Sequence, residues 1–562
     1  MRLRISTRRS GASVAARWLA ALALTATPVF AAMTPLAGDP LEIKSGKVAG
    51  TALSTGVKAY LGIPFARPPV GELRWRPPQP IQWTGVWNAD RKGPECIQVL
   101  RPHNINHYFG EEATSEDCLY LNVWAPGTAR AGDHLPVIVF IYGGGGTIGS
   151  SGMANYGGEN VAARGAIFVN FNYRVGLLGY LAHPELTREQ GGHSGNYGYL
   201  DQNAALAWVR ANIAQFGGDP DKVLIMGQSY GAGSVAAQIF SPLSKGLFRA
   251  AMMSSACAFT EGGVIGAAVP LSQAEAVGEE LQKRLGAADL EAMRNAPADR
   301  ILALQAESQV GVNVKGLRAP AVIDGYVFTA SKADTLAKHL GSDVPILAGS
   351  NGDDIDSARY PLTHTHTVSE YEALARKMYG KDADAFLAFY PVHTDADVSP
   401  MAHLAAIEGG FLQSSRTCAA LQTQTNRSPA YIDLFTRKHP YAPGVKFADQ
   451  DPATVGAYHT GDVPYWLDTL DRYNALRPTR SWTDGDRTLT DRMVRALIAM
   501  AETGSPSTAE FNWPAWTPKN PRFVEIGAEM SIRSMNLQRM DWMAAHPPAD
   551  LGAAPARTGP RD

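Results

Sequence analysis

Apolar and polar positions along the chain alternate between two periods. Val137-Ile138-Val139-Phe140-Ile141 is a continuous apolar run, and Ala166 to Asn172 is a second. Runs of this kind fit strands covered on both faces. Leu119 to Trp124, Val223 to Met226, Pro345 to Ala348 and Ala430 to Phe435 read as further strands. Between them, Asn203 to Phe216 reads as an amphipathic helix stopped by Gly217-Gly218-Asp219-Pro220, and Ala232 to Ile239 as a helix of small residues. Strands alternating with helices imply an α/β fold with a mostly parallel central sheet flanked by helices. Nearer the N-terminus, Leu41 to Ser45 and Val48 to Leu61 read as hairpins. Gly62 to Pro69 should break regular structure, because a proline pair cannot continue a ladder. Two helical stretches, Ser272 to Gln309 and Val368 to Gln422, read as large insertions over the site that such a sheet presents.

The ends change the picture. Arg2, Arg4, Arg8, Arg9 and Arg17 form a basic region, an apolar run from Trp18 to about Ala26 follows, and Val29-Phe30-Ala31 fits the small-x-small cleavage rule. Residues 1–31 are therefore expected to be a cleaved signal peptide, which places the mature protein outside the cell or in the periplasm. The apolar run is shorter than the roughly 20 residues that span a bilayer, so no membrane span is expected in the mature chain. Residues 546–562, rich in Pro, Ala, Gly and Arg, are expected to be a disordered tail. Between them no linker, repeat or charge block divides the chain, so 32–545 reads as one compact body despite the 562-residue length. The formal net charge of −2 gives no sign of nucleic acid as a partner.

Four cysteines, an even number, suit an oxidising compartment. Cys96 and Cys118 flank a polar loop and are expected to form a disulfide, while the pairing of Cys257 with Cys418 stays open. None of the four has zinc-site spacing. The run Thr363-His364-Thr365-His366-Thr367 reads as a solvated loop, since two alternating histidines make a poor ligand set.

Candidate chemistry centres on Gly227-Gln228-Ser229-Tyr230-Gly231, set between an apolar strand and a helix. That is the context of a nucleophile elbow, a sharp turn that lifts the serine hydroxyl off the sheet edge. The bland alternative is a serine in a tight turn. Acyl transfer also needs donors for an oxyanion, and Gly143-Gly144-Gly145-Gly146 follows the strand ending at Tyr142. Backbone N–H groups without side chains can converge on one point, and losing one such donor costs roughly 3 kcal/mol of transition-state stabilisation. Gly144 and Gly145 are assigned as donors, with the N–H of Tyr230 as the third.

Several motifs in order resemble the type-B carboxylesterase and cholinesterase-like family. They include Gly62-Ile63-Pro64-Phe65-Ala66, Ser115-Glu116-Asp117-Cys118-Leu119-Tyr120-Leu121-Asn122-Val123, Asn172-Tyr173-Arg174-Val175-Gly176, Phe216-Gly217-Gly218-Asp219-Pro220 and the elbow. The resemblance covers most of the mature chain and implies an α/β-hydrolase fold. It also supplies the rest of a catalytic triad. Gly349-Ser350-Asn351-Gly352-Asp353-Asp354 is similar to the family's acid loop, with Asp354 for the usual glutamate and Asp353 as its rival. Gly456-Ala457-Tyr458-His459-Thr460-Gly461-Asp462 is similar to its histidine loop, which implies His459 as the base. Cys96 and Cys118 resemble the family's N-terminal disulfide; Arg74 with Glu116, and Arg174 with Asp201, resemble two structural ion pairs. Ser255 resembles a buried serine that supports the histidine.

Departures narrow the reading. Gln228 and Tyr230 stand where the family usually has glutamate and alanine. Gly146 stands where many relatives carry an aromatic, which is expected to remove a wall and admit bulky esters. The loop between Cys96 and Cys118 has no tryptophan, so the cation–π platform for a choline headgroup is missing there. The function implied is a secreted serine carboxylesterase that takes a small-molecule ester through an acyl-enzyme on Ser229, with no metal or organic cofactor. The alternatives are a lipase, a detoxifying or polyester esterase, and a non-catalytic binding protein on the same fold.

Overall fold

In a computed structural model of the chain, residues 34–260, 268–305 and 316–549 are described. The signal peptide expected at 1–31 lies outside them, as do residues 550–562 of the expected tail. Residues 546–549 are described: His546 stacks on Trp542, and the Ala549 N–H donates to the Met378 carbonyl at 2.8 Å.

Twelve strands form one sheet. In chain order they are β1 Thr34–Pro35, β2 Thr51–Ala52, β3 Lys58–Pro64, β4 Tyr120–Ala125, β5 Leu135–Ile141, β6 Ile167–Phe171, β7 Gly218–Gln228, β8 Ala250–Ser254, β9 Ile346–Asn351, β10 Ala430–Phe435, β11 Arg522–Ile526 and β12 Met530–Ser534. Their spatial order is β1-β2-β3-β4-β6-β5-β7-β8-β9-β10-β11-β12. The stretch from β6 to β11 is parallel throughout, with antiparallel strands at both edges. Parallel strands need crossover helices on both faces, and the buried runs of β5, β6 and β8 follow from that double cover.

The helices that matter for the site are α1 Tyr197–Asn212, α2 Tyr230–Phe240, α3 Leu271–Leu285, α4 Val368–Tyr379, α5 Asp395–Gly409, α6 Phe411–Thr425 and α7 Asp484–Thr503. α2, buried along its whole length, packs on β7 and β8. α6 was expected within an insertion, but it packs on β9 and β10 as one of the sheet's covering helices. Its Cys418 forms a disulfide with Cys257, just past β8, which joins two sites 161 residues apart. α4 and α5 do stand apart, around their own apolar cluster with Tyr371, Phe386 and Tyr390.

Two strands run on through residues expected to break them. β3 continues through Gly62-Ile63-Pro64, because a register shift between Tyr60 and Ile63 takes up the irregularity. β7 begins at Gly218, before Pro220: the partner register jumps from Leu135–Gly218 to Val137–Val223, so Pro220 sits in a bulge where no ladder bond is asked of it. Cys96 and Cys118 are bonded, and both expected ion pairs form, Arg74–Glu116 at 2.5 Å and Arg174–Asp201 at 2.7 Å. The buried Arg174 guanidinium binds Asp201 of α1, and its neighbour Tyr173 donates its hydroxyl to the Tyr142 carbonyl at 2.7 Å, just before the glycine loop.

Candidate active site

The sheet brings every candidate to one edge. Ser229 follows β7, the glycine loop follows β5, the acid loop follows β9 and the histidine loop lies beyond β10. The carboxyl ends of parallel strands are where α/β sheets present their crevice.

Ser229 has φ 58° and ψ −125°, a conformation that L-residues rarely hold. The turn is fixed by its N–H, which donates to the Ser254 carbonyl at 2.9 Å, and by its own carbonyl, which accepts from Ala232 and Gly233. A β-carbon on Gly227 would lie 2.3 Å from the Gly231 carbonyl oxygen, and one on Gly231 would lie 2.1 Å from that of Ile141. The turn therefore admits no side chain at either flank.

Asp354 is buried at the N-terminus of a short helix, Ile355–Arg359. Its Oδ1 accepts the Ile355 N–H at 2.8 Å and its Oδ2 the Asn351 N–H at 3.3 Å. The Nδ1 of His459 stands 2.5 Å from Oδ1. A carboxylate only accepts, so Nδ1 carries the proton and Nε2 of the neutral ring is left as an acceptor. Gln228 places its amide nitrogen 3.2 Å from that Nε2. Phe411 flanks the imidazole with 6.4 Å between ring centroids.

Asp353 has a different task. Its N–H donates to the Ala457 carbonyl at 3.0 Å, and its Oδ2 accepts the Ala457 N–H at 2.7 Å. It clasps the backbone of the histidine loop, and Asp354 meets the ring. Asn351 adds a bond from Nδ2 to the Tyr458 carbonyl at 2.6 Å and another to Asp462 at 3.1 Å. Behind the loop, His439 donates from Nε2 to the Gly461 carbonyl at 2.7 Å and accepts from Tyr458 and Arg480 at Nδ1. Burial, helped by the Arg480 charge, pushes the His439 pKa well below the usual imidazole value, so this second histidine stays neutral. Nothing local in the sequence marks His439 or Arg480, which meet the loop only through tertiary packing.

Ser255 is fully buried and its N–H donates to the Gly349 carbonyl at 2.9 Å, but its hydroxyl has no hydrogen-bond partner among the described residues. The neighbouring Ser254 hydroxyl donates to Asp462. Asp462 lies three residues past His459, and burial raises its carboxyl pKa.

In the glycine loop, the carbonyl of Gly144 accepts from Thr147 and Ile148, which closes the turn. No acceptor among the described residues engages the N–H groups of Gly144, Gly145 or Tyr230. Gly146 opens no wall: the ring of Tyr230 fills the space that a side chain there would enter. Among the described residues, no group of three or more His, Cys, Asp or Glu is arranged to hold a metal ion. Thr367, at the end of the histidine-containing run, caps α4 in a capping box with Glu370.

The model of the Carboxylesterase family matches residues 39–543. The chain belongs to that family. This carboxylesterase is 37% identical over 546 residues to the fumonisin B1 esterase of Sphingopyxis macrogoltabida, with 94% of this chain and 92% of that protein covered. It is 31% identical to the para-nitrobenzyl esterase of Bacillus subtilis (strain 168), over 87% of this chain and 95% of that one. A solved PNB esterase structure superposes with a TM-score of 0.70 at 28% identity, covering 90% of this chain and 98% of the other. The carboxylesterase is thus an α/β hydrolase that cleaves carboxylic esters of small molecules. No described helix is long and apolar enough to cross a membrane, and the two disulfides are compatible with an extracellular location.

Proposed function

We propose that this carboxylesterase is an exported serine esterase that works through an acyl-enzyme on Ser229. The observation that carries the reading is the Nδ1–Oδ1 contact of 2.5 Å between His459 and Asp354 beside the strained serine turn. With Nδ1–H committed to the carboxylate, Nε2 of the neutral ring is the acceptor that takes the Ser229 proton as the hydroxyl attacks the ester carbonyl. Asp354 orients the ring and stabilises its charged form. The unengaged N–H groups of Gly144, Gly145 and Tyr230 receive the oxyanion. His459 then protonates the leaving alcohol, and in the second step it takes a proton from water, which releases the acid and restores Ser229. Every proton in this cycle passes through one imidazole, so no cofactor is called for. Export is supported by the basic and apolar pattern of the first 31 residues and by the two disulfides.

The experiment is hydrolysis of 4-nitrophenyl esters from acetate to palmitate by the mature protein and by Ser229→Ala, with mass spectrometry after treatment with a phosphonate ester. Turnover lost in the variant, with a single adduct on the Ser229 peptide, is expected. Turnover that survives in Ser229→Ala would overturn the assignment, and a rate jump above micelle formation would turn the reading towards a lipase.

A further inference from the structure

Arg318 is built into the rim of the glycine loop. The segment that carries it is tied to that loop through a chain of contacts. Leu317 pairs with Gln305 as a bridge, and its N–H donates to the Leu304 carbonyl at 2.8 Å. The Gln305 Oε1 accepts the Leu177 N–H at 2.9 Å, and a β-carbon on Gly176 would come within 1.8 Å of the same oxygen. Gly176 in turn donates its N–H to the Gly146 carbonyl at 2.6 Å. From this anchored backbone, the Arg318 guanidinium reaches the Gly145 carbonyl, with Nη2 at 3.4 Å.

The side chain is otherwise exposed, and no carboxylate among the described residues pairs with it. Its charge acts on Tyr199 and Tyr230, whose hydroxyls lie 3.0 Å apart. Burial raises the pKa of both phenols, and the Arg318 charge works against that rise without undoing it, so both stay neutral. A guanidinium offers five N–H donors in a planar fork suited to a carboxylate. Among the described residues, one long bond to a neutral carbonyl leaves most of that fork unused. Holding a long cation this way contributes little to the fold against its lost rotamer freedom, whereas a bidentate, charge-assisted pair with an incoming anion would use the geometry fully.

We propose that Arg318 receives a carboxylate on the acid part of the substrate, so that this enzyme prefers esters of dicarboxylic or polycarboxylic acids over esters of neutral acids. The acid part is the side at issue because it stays against the glycine loop in the acyl-enzyme, after the alcohol has gone. This inference rests on the serine-esterase reading given above.

The test compares kcat/KM for monoethyl glutarate and ethyl valerate, followed by ethanol release, in the mature protein and in Arg318→Gln and Arg318→Lys. The wild type should favour the glutarate ester. Arg318→Gln should lower that preference by about tenfold while leaving ethyl valerate within about twofold, and Arg318→Lys should keep part of it, because a solvated charge pair is real but screened. The preference should also shrink as salt is raised. An unchanged ratio in Arg318→Gln would overturn the proposal. Should neither ester turn over, the esterase reading is the one in trouble. Calorimetric binding of free glutarate to wild type and Arg318→Gln then decides the Arg318 site: weaker binding in the variant supports it, and equal binding overturns it.

Discussion

The ring of Tyr230 lies against Gly146, so that a β-carbon on Gly146 would stand 2.6 Å from the ring's Cζ. The ring is held there by its hydroxyl bond to Tyr199, by parallel stacking on Tyr199 and by an edge contact with Tyr180. A bulky residue on the elbow thus fills the space beside Gly146 on the glycine loop. Gly146 also has φ 76°, which disfavours any side chain.

Gly146→Ala should therefore lower kcat/KM on acetate and on bulky esters alike, with an overpacking cost of about 1–3 kcal/mol. Part of that loss should return in Gly146→Ala combined with Tyr230→Ala, which keeps the Tyr230 N–H. A double-mutant cycle on Tm and kcat/KM reads the coupling. Strict additivity of the two changes would mean that the ring is not what the new β-carbon meets.

The acid loop makes a sharper prediction. Asp354 meets the imidazole, and Asp353 clasps the loop that carries it. Asp354→Asn should lower kcat by about four orders of magnitude with the fold intact, because the amide favours the wrong tautomer. Asp353→Asn keeps an oxygen for the Ala457 N–H and should cost activity less than about tenfold, in line with one altered hydrogen bond of about 1 kcal/mol. Circular dichroism and 4-nitrophenyl butyrate kinetics on the two variants distinguish them; comparable losses in both would remove the assignment.

Position 228 offers a handle on the acid limb of the pH profile. The Gln228 amide nitrogen is 3.2 Å from the His459 Nε2, and it is neutral. His459 acts as a base only when unprotonated, so activity falls as pH drops through its pKa, whose reference value is about 6.5. In Gln228→Glu a carboxylate beside the ring stabilises the imidazolium, raising that pKa by about 1 unit or more. The acid limb of kcat/KM should move to higher pH by the same amount. A limb that stays in place would mean that the side chain at 228 does not face the working ring.

These features were unevenly legible in the sequence. Val137 to Ile141 declared a buried strand by composition alone, and the elbow declared itself because two glycines and a serine between a strand and a helix have few other uses. His459 and Asp354 came through loop motifs, since no periodicity links residues 105 positions apart. What stayed hidden depends on packing. A proline reads as a strand breaker, yet Pro64 ends β3 opposite Tyr120, and the bulge at Gly218–Val223 takes Pro220 out of its ladder. α6 reads as part of a helical insertion until its Cys418 is seen bonded to Cys257 beside the sheet. Ser254 and Ser255 cannot be told apart along the chain, because only folding brings the Ser254 hydroxyl to Asp462, 208 residues on.

One buried group carries a prediction about stability rather than catalysis. Asp433, opposite Gly349 in the β9–β10 ladder, is buried, and its Oδ1 has no hydrogen-bond partner among the described residues. Burial pushes its carboxyl well above the usual carboxylate range, and repulsion from Asp462 adds to the rise. The native chain then holds a proton that the unfolded chain releases above about pH 3.9. With more protons bound in the native state, unfolding free energy falls as pH rises from there through the native pKa. Asp433→Asn supplies a neutral group of the same shape and removes that slope. Urea unfolding from pH 4 to pH 9 should show the variant gaining on the wild type steadily as pH rises, with the smallest difference at the acid end. A difference that does not change with pH would mean that Asp433 is ionised in the folded protein, its charge met by a partner behind the sheet.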